Sequence, residues 1–544
     1  MTIAERLVAV DAARPPRPLA GIVERLASEG RLRGARAADG RPIAPAALGG
    51  ELVQAITADS RAVRPGALFV AVPGDHADGH DYLVAAAAGG AVAAIVEHPS
   101  PDAGIVQLVV DRSRTALASV AGWWYGDPSR ELRVIGITGT DGKTTTSFLA
   151  AAALAAAGQR VGLVGTVELR IGGVAEPTPE HQTTPEAPEL QRLLRAMADG
   201  GDAIAIVETT SHGLALERVA GIAYDVAMFT NLTHEHLELH GSFEAYRAAK
   251  VSLFERLAAR GPAKTGAAAG LAWPHLAVIN RDDPSADEFL AVSREAGARI
   301  VTYGAEEGAD VRADRIEEDA RRLSVAYQAP SGEGRLALRL AGRFNVHNAL
   351  AVVALGEGLG LDPAAVRTGI EGLAGVPGRM ERVERGQPFG VIVDYAHTPA
   401  SLETVLDLLG PVAAAGGGGL IAVFGSAGER DQAKRSMMGR IAGQRARLVV
   451  ATDEDPRGED RQAIIEAIGR GAESAGRRRD RDLLLIADRR AAIAAALDQA
   501  RPGDVVLFAG KGHERSIIGP GGAVPWNERA EVEAALAALG FTGS

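Results

Sequence analysis

Val134-Ile135-Gly136-Ile137-Thr138-Gly139-Thr140-Asp141-Gly142-Lys143-Thr144-Thr145-Thr146 decides how the rest of the chain is read. A short β-branched run stops at a glycine turn. A lysine and three threonines then lead into the Ala/Leu-rich helical pattern Phe148 to Ala157. Strand, loop and helix start in that order make a cradle for phosphate. Gly139 and Gly142 let backbone N–H groups turn inward, and the helix start adds partial positive charge. Lys143 adds a full charge, and Thr144 offers a hydroxyl to Mg²⁺. The general phosphate-loop pattern has glycine five positions before Gly142, where this chain has Ile137; the shorter form G-T-x-G-K-T is intact.

Around that loop the chain has 544 residues, enough for three domains at about 150 residues each. Hydrophobic content of 47% and charged content of 23% are those of an ordinary globular protein. A net charge of −11 argues against a nucleic-acid or anionic-membrane partner. The chain has no cysteine, which excludes disulfides, thiolate catalysis and Cys-ligated metal sites. Met1-Thr-Ile-Ala-Glu-Arg6 is charged at once and lacks the apolar core of a secretion signal. Leu83 to Val96 is apolar but too short to span a bilayer. A cytoplasmic enzyme, monomeric and without membrane insertion, is expected.

The expected fold class is α/β in three domains. Residues 1–130 form a small N-terminal α/β domain, in which parts of 12–19 and 34–48 read as loop or insertion. Residues 131–378 form a central parallel-sheet domain built on the phosphate loop. Its strands are placed at Arg160–Gly165, Ala203–Glu208, Val226–Thr230 and His275–Asn280. The stretch Ile300 to Leu340 alternates without strong helices, as an antiparallel edge would. Residues 379–544 alternate strands (Val391–Val393, Leu420–Phe424, Leu448–Ala451, Leu483–Ile486, Val505–Phe508) with helices, a doubly wound, Rossmann-like pattern.

Polar residues gather at strand ends, where open α/β sheets bind ligands. Glu208 follows an apolar strand and suits a hard cation such as Mg²⁺. The run Asn231 to Gly241 carries His234, His236 and His240. Three histidines invite a zinc reading; the phosphate-binding features around them favour Mg²⁺. Lys250, taken bare, reads as an exposed helix lysine.

In sequence follow Gly139 to Thr146, Thr183-Thr184-Pro185-Glu186, Glu208-Thr-Thr-Ser-His212, Asn231 to Gly241, and Tyr246-Arg-Ala-Ala-Lys250. Asp59-Ser60-Arg61 precedes them. Val376-Pro-Gly-Arg-Met-Glu381, Asp394-Tyr-Ala-His-Thr-Pro399 and Gly510-Lys-Gly-His-Glu514 come after. Together, from about Asp59 to the C-terminus, they resemble the Mur ligase family, and within it the branch that adds the third residue of the peptidoglycan stem peptide.

That resemblance implies an ATP-dependent amide ligase. It would join a diamino acid (meso-diaminopimelate, lysine or ornithine) to UDP-N-acetylmuramoyl-L-Ala-D-Glu (UDP-MurNAc-dipeptide) through an acyl phosphate. It implies ATP contacts from Gly139, Thr140, Asp141, Gly142, Lys143, Thr144 and Thr145, with Asn345, Asn348, Arg379 and Asp394. Two Mg²⁺ sites would use Thr144, Glu208, His236 and a carbamylated Lys250, whose carboxylate comes from CO₂. Lys143, Lys250, Glu208 and His236 would carry the catalysis. Ser60, Thr183, Thr184, Thr210 and Arg218 would hold the UDP substrate. Arg430, Glu454, Asp455, Arg457, Gly510 and Glu514 would hold the amino acid, with Arg430 on its α-carboxylate. Another ligase of the family (D-Ala-D-Ala-adding, folylpolyglutamate or cyanophycin type) and a non-catalytic nucleotide-binding regulator are the alternatives.

The chain departs from the family pattern at several points. Asp141 stands where the family has Asn, Glu235 where it has Asp, and Leu216 where some members have Gln. The specificity motif D-N-P-R reads Glu454-Asp455-Pro456-Arg457. On charge alone, Glu454, Asp455 and Glu514 favour a lone ammonium, as in lysine or ornithine, with Arg457 occupied by its acidic neighbours. Residues 1–50 exceed the family's N-terminus and have no counterpart in this reading.

Overall fold

A computed structural model of the chain describes residues 1–74, 77–179, 182–233, 240–258, 263–318, 323–340 and 342–543. They form two compact units. One contains Met1–Ala313, Tyr327–Glu333 and His347–Ile370; the other contains Asp314–Ala326, Gly334–Val346 and Glu371–Ser544.

In the first unit the strand Arg133–Thr138 lies between Ile204–Glu208 and Val226–Phe229, parallel to both. Val161–Val164 lies beyond the former. Leu276–Asn280 and then Arg299–Gly304 lie beyond the latter, all parallel. Every residue of Ile204–Glu208, Val226–Phe229 and Leu276–Asn280 is buried. Strands covered on both faces read as unbroken apolar runs, which is why these strands of four or five residues are visible in the sequence. The register sets Glu208 beside Ile137 and Phe229 beside Thr138, so three carboxyl ends open on one crevice.

Two edges complete this sheet. Glu168–Ile171 and Val174–Pro177 make an antiparallel hairpin on one side, which the sequence reading did not foresee. On the other side come the strands Val311–Glu318, Leu323–Ala329 and Gly332–Leu338. The expected helix-poor stretch is thus strand; its first pairing, Tyr303 with Val311, is parallel.

The N-terminal sheet has six strands. Ala55–Thr57, Ala67–Val70, Ala93–Val96 and Val106–Val110 are parallel. Leu32–Arg36 joins antiparallel to the last of these, and Pro42–Ile43 pairs antiparallel with it. Where parts of 34–48 are expected as loop, Leu32–Arg36 and Pro42–Ile43 make a hairpin, at whose turn Asp39 Oδ1 accepts the Arg41 N–H at 3.1 Å, and the residues after Ile43 hold only the short turn Pro45–Ala47. Within 12–19, Arg17–Pro18 pairs with Leu52–Val53. Ala/Arg-rich composition hides ladders this short.

The opening residues also have a place. Thr2 and Glu5 form a reciprocal cap on the helix Ile3–Ala12. Ile3 and Val10 join the core of the central sheet, among Leu190, Leu194 and Met197. The Ile3 N–H donates to Glu176 Oε1 at 2.9 Å, and Arg192 Nε donates to Asp11 Oδ1 at 3.0 Å.

The second unit has a six-stranded sheet. Its order is Glu381–Arg382, Gly390–Val393, Val505–Phe508, Leu420–Phe424, Leu448–Ala451, Leu483–Leu485. All pairings are parallel except the first. One face packs on Leu406, Ile441 and Ile465, the other on Ile493, Val532 and Leu536, the doubly wound arrangement that the spacing predicts. Arg489 and Glu528, at 1% and 0% side-chain exposure, pair beneath this sheet at 2.6 Å.

Candidate active site

The phosphate loop leaves the strand Arg133–Thr138 at Gly139. A Cβ there would stand 1.8 Å from Thr230 Oγ1, so only glycine fits against the neighbouring strand end. Thr230 Oγ1 donates to the Asp141 carbonyl at 2.6 Å, and the Asp141 N–H donates to Asn231 Oδ1 at 2.9 Å. These bonds fix the loop's backbone and leave the Asp141 side chain exposed. Ile137, where longer phosphate loops have glycine, is wholly buried within the strand. The helix Lys143–Ala156 begins after Gly142, and no side chain caps it. Its first N–H groups are oriented as an anion site. Lys143 Nζ donates to the carbonyls of Gly139 and Thr140 at 2.8 and 2.7 Å. Asn348 reaches the same turn, accepting from Thr146 Oγ1 at 3.3 Å.

Glu208 is the hub of the crevice and is wholly buried. Oε2 accepts from Thr144 Oγ1 at 2.9 Å and Thr166 Oγ1 at 3.0 Å. Oε1 accepts from Ser147 Oγ and the Thr166 N–H, both at 3.3 Å. Among the described residues no cation pairs with it. A buried carboxylate ringed by hydroxyls, with no described cation beside it, fits a hard divalent ion. Thr144 and Glu208 would hold Mg²⁺ there, and the ion would supply positive charge beside the nucleotide phosphates.

The threonines expected to hold the UDP substrate adjoin this hub. Thr183 Oγ1 is 2.9 Å from Thr166 Oγ1. Thr184 Oγ1 donates to the Glu208 carbonyl at 2.8 Å and lies 3.1 Å from Thr210 Oγ1. Arg218 donates to the Thr184 carbonyl at 3.0 Å and pairs with Glu186 at 2.8 Å. Ser60 sits on the turn Ser60–Ala62 of the N-terminal sheet domain. Among the described residues no hydrogen bond joins it to the threonine cluster.

Lys250 corrects the bare reading of an exposed helix lysine. It is 1% exposed, its Nζ donates to the Gly139 carbonyl at 2.7 Å, and it lies 4.6 Å from the Tyr246 ring centroid. Tyr246 Oη in turn is 2.9 Å from Thr140 Oγ1. The helix Phe243–Glu255, capped by Ser242, therefore carries Lys250 to the underside of the loop. His234, Glu235 and His236 lie outside the described residues.

In the second unit Asp394 fixes a turn. Its Oδ2 accepts the Met380 N–H at 2.7 Å and its Oδ1 the Ala396 N–H at 2.8 Å. Arg379 lies 5.0 Å over the Tyr395 ring. Asn345 is buried in this unit, whereas Asn348, on the same helix Phe344–Leu359, belongs to the first. Arg430 is exposed on the loop after Leu420–Phe424.

The segment Glu454 to Arg457 follows the strand Leu448–Ala451. Glu454 and Asp455 are buried. Burial pushes the Glu454 carboxyl above its ordinary range, and among the described residues its Oε2 has no hydrogen-bond partner. Asp455 Oδ1 accepts from Lys511 Nζ at 2.8 Å and from the Ile518 N–H at 2.9 Å. Lys511 also pairs with Glu514. Arg457 has no ion pair among the described residues, contrary to the expectation that its acidic neighbours occupy it. Its backbone takes φ 54 and its N–H bonds the Ile518 carbonyl at 2.8 Å. Ile518 belongs to the hairpin Ser516–Gly519/Gly522–Pro525. Nearby, burial above all holds the His397 imidazole below its ordinary value and the Tyr395 phenol above its own.

Sequence reasoning left Thr166, Ser147 and Lys511 without roles. Thr166 follows the strand Val161–Val164, whose carboxyl end lies beside that of Ile204–Glu208, and its hydroxyl reaches Glu208 at 3.0 Å. Lys511 lay inside a quoted motif, but no pattern tells which side chain of Gly510 to Glu514 turns inward.

The loop and Glu208 offer oxygen chemistry for a nucleoside triphosphate and its cation, on the fold of a parallel-sheet, nucleotide-dependent enzyme. Three domain descriptions match the chain: "Mur ligase family, catalytic domain" over 52–124, "Mur ligase middle domain" over 137–356, and "Mur ligase, glutamate ligase domain" over 378–512. The chain belongs to the Mur ligase family and is an ATP-dependent ligase. It is 48% identical over 497 residues to a UDP-N-acetylmuramyl-tripeptide synthetase of Roseiflexus sp., covering 90% of this chain and 96% of the relative. It is 41% identical over 519 residues to a UDP-N-acetylmuramoyl-L-alanyl-D-glutamate–2,6-diaminopimelate ligase of Geobacter metallireducens, covering 92% and 98%. A solved structure of a ligase with that second activity superposes with TM-score 0.62 at 31% identity, over 90% of this chain and 96% of that one.

Proposed function

We propose that this ligase joins a diamino acid to UDP-N-acetylmuramoyl-L-alanyl-D-glutamate in peptidoglycan synthesis. The relatives supply the substrate class. The observation that carries the reading is the buried Glu208, without a cation among the described residues, between the phosphate loop and the Thr183–Thr184–Thr210 cluster, which joins a nucleotide site to an acceptor site. A carboxylate oxygen of the dipeptide attacks the γ-phosphorus of ATP, the bond to the β-phosphate oxygen breaks, and ADP leaves. Lys143 and the first N–H groups of its helix offset charge on the transferring phosphoryl group. The amine of the incoming amino acid attacks the resulting acyl phosphate, loses a proton and expels phosphate, leaving an amide. Water must stay out while the acyl phosphate exists.

Lys250, buried under the loop, is proposed to be carbamylated. Its ε-amine would then present a carboxylate to a second Mg²⁺. Intact mass of gently handled protein should show the added CO₂, and Lys250→Ala should be nearly inactive. A fully active Lys250→Ala enzyme would remove the role.

For the amino acid's distal end, the charge count in the sequence favoured a lone ammonium. Lys511 pairs with two of the three carboxylates and its single charge offsets one of them, and Arg457, without an ion pair among the described residues, is left for a carboxylate. The arrangement supports a distal group carrying both charges, as in meso-diaminopimelate. Incubation with ATP, the UDP-dipeptide and meso-diaminopimelate, lysine, ornithine and a neutral amino acid tests this. A nucleotide-tripeptide is expected, formed fastest with meso-diaminopimelate. ATP binding without any product would make the chain a regulator, and a preference for the neutral amino acid would overturn the diamino reading.

A further inference from the structure

Lys511 is an unusual residue to find where it stands. It has no exposed surface and ranks among the largest fully buried side chains of the protein. A buried lysine is costly unless its charge is met. Here two carboxylates meet it, Asp455 Oδ1 at 2.8 Å and Glu514. The turn that carries it is closed by the Glu514 N–H on the Lys511 carbonyl at 2.9 Å, so Lys511 and Glu514 are fixed to one another by backbone as well as by charge. Asp455 is fixed from the other side by the Ile518 N–H at 2.9 Å. The triad therefore has one cation for two anions, and its geometry is set by the fold before any ligand arrives.

We propose that Lys511 is a specificity-determining residue: its single charge, held between Asp455 and Glu514, sets the net charge presented to the distal end of the incoming amino acid. The inference rests on the proposed function, in which Asp455 and Glu514 border that end. With Lys511 in place the triad carries one negative charge, enough to receive an ammonium while leaving Arg457 effective toward a carboxylate. Without it the triad carries two negative charges in a poorly solvated place, where charge–charge energies are several times those in water. A substrate bringing only an ammonium gains from that, and a substrate bringing an ammonium and a carboxylate is repelled at its second group. Lys511 touches the carboxylates, so it acts through them.

The test is the ratio of kcat/KM for meso-diaminopimelate to that for lysine, measured in competition with the purified full chain. Lys511→Met should move the ratio at least about tenfold toward lysine. Asp455→Asn, which keeps the size and the acceptor oxygen but brings the triad to neutrality, should move it about tenfold the other way. The double variant Asp455→Asn/Lys511→Met restores the wild-type net charge and should return the ratio to within about threefold of wild type. A merely structural lysine would lower turnover with all amino acids alike, and charge restoration would not bring the ratio back. An unchanged ratio in Asp455→Asn, or a double variant that keeps the ratio of Lys511→Met, overturns the proposal. Should Lys511→Met fail to fold, Asp455→Asn and the double variant decide it between them. Wild-type enzyme that joins no amino acid to the UDP-dipeptide would instead defeat the proposed function itself.

Discussion

Lys143 and Glu454 show how differently two charged residues are housed in one chain. Lys143 is half-buried, with its Nζ over the carbonyls of its own loop. Lys143→Ala should abolish ligation and cost no more than about 1–3 kcal/mol of stability, the scale of its charged hydrogen bonds, as melting curves would show. Turnover near wild type at saturating ATP would remove the loop from the mechanism. Glu454 is the opposite case, a buried carboxyl with an unpartnered oxygen and a raised proton affinity. Above its raised folded pKa the folded state bears the full cost of burying the anion. Below its ordinary value of 4.5 both states are protonated and the cost is gone. Glu454→Gln should thus stabilise the protein by roughly 1–3 kcal/mol at pH 8 and by much less near pH 4.5. Melting curves across that range check it, and a gain that grows as pH falls would contradict the sign.

Among elements, the opening helix carries the clearest test. Val10 is 3% exposed on the helix Ile3–Ala12, whose apolar face meets the helix Ala187–Asp199. Val10→Asp should detach it at a cost of about 2–4 kcal/mol, the loss of buried apolar surface plus the burial of a charge. Hydrogen exchange should rise over 2–13, and no rise would mean that the contact contributes nothing. This helix also marks what the sequence could not tell. The inner strands were legible because Ile204–Glu208 and Val226–Phe229 are buried on both faces and carry their own signal. Lys143, Thr144 and Glu208 were legible because loop chemistry and strand ends are local. The helix Ile3–Ala12, the hairpin Glu168–Pro177 and the pairing of Lys511 with Asp455 depend on partners far along the chain. Periodicity over a dozen residues holds no information about them.

At the scale of the molecule, the two units have separate hydrophobic cores. Damage to one should be readable separately from the other. Arg489→Met leaves Glu528 buried without its cation and should cost about 3–5 kcal/mol. Exchange protection should fall at Val505–Phe508 and Glu528–Ala538 and hold at Arg133–Thr138; loss at all three together would mean that the units unfold as one. The docking of the first helix has a further consequence, in the order of synthesis. Ile3 is bonded to Glu176, 173 residues later. At roughly 5–20 residues per second a ribosome needs on the order of 10–35 s to supply that partner. A helix of 10 residues is marginal in water by itself, so through that interval Ile3 and Val10 have no core to enter. The helix Ile3–Ala12, made long before its partner, is therefore among the later segments to be fixed, and the N-terminal sheet can fold while that helix still hangs loose.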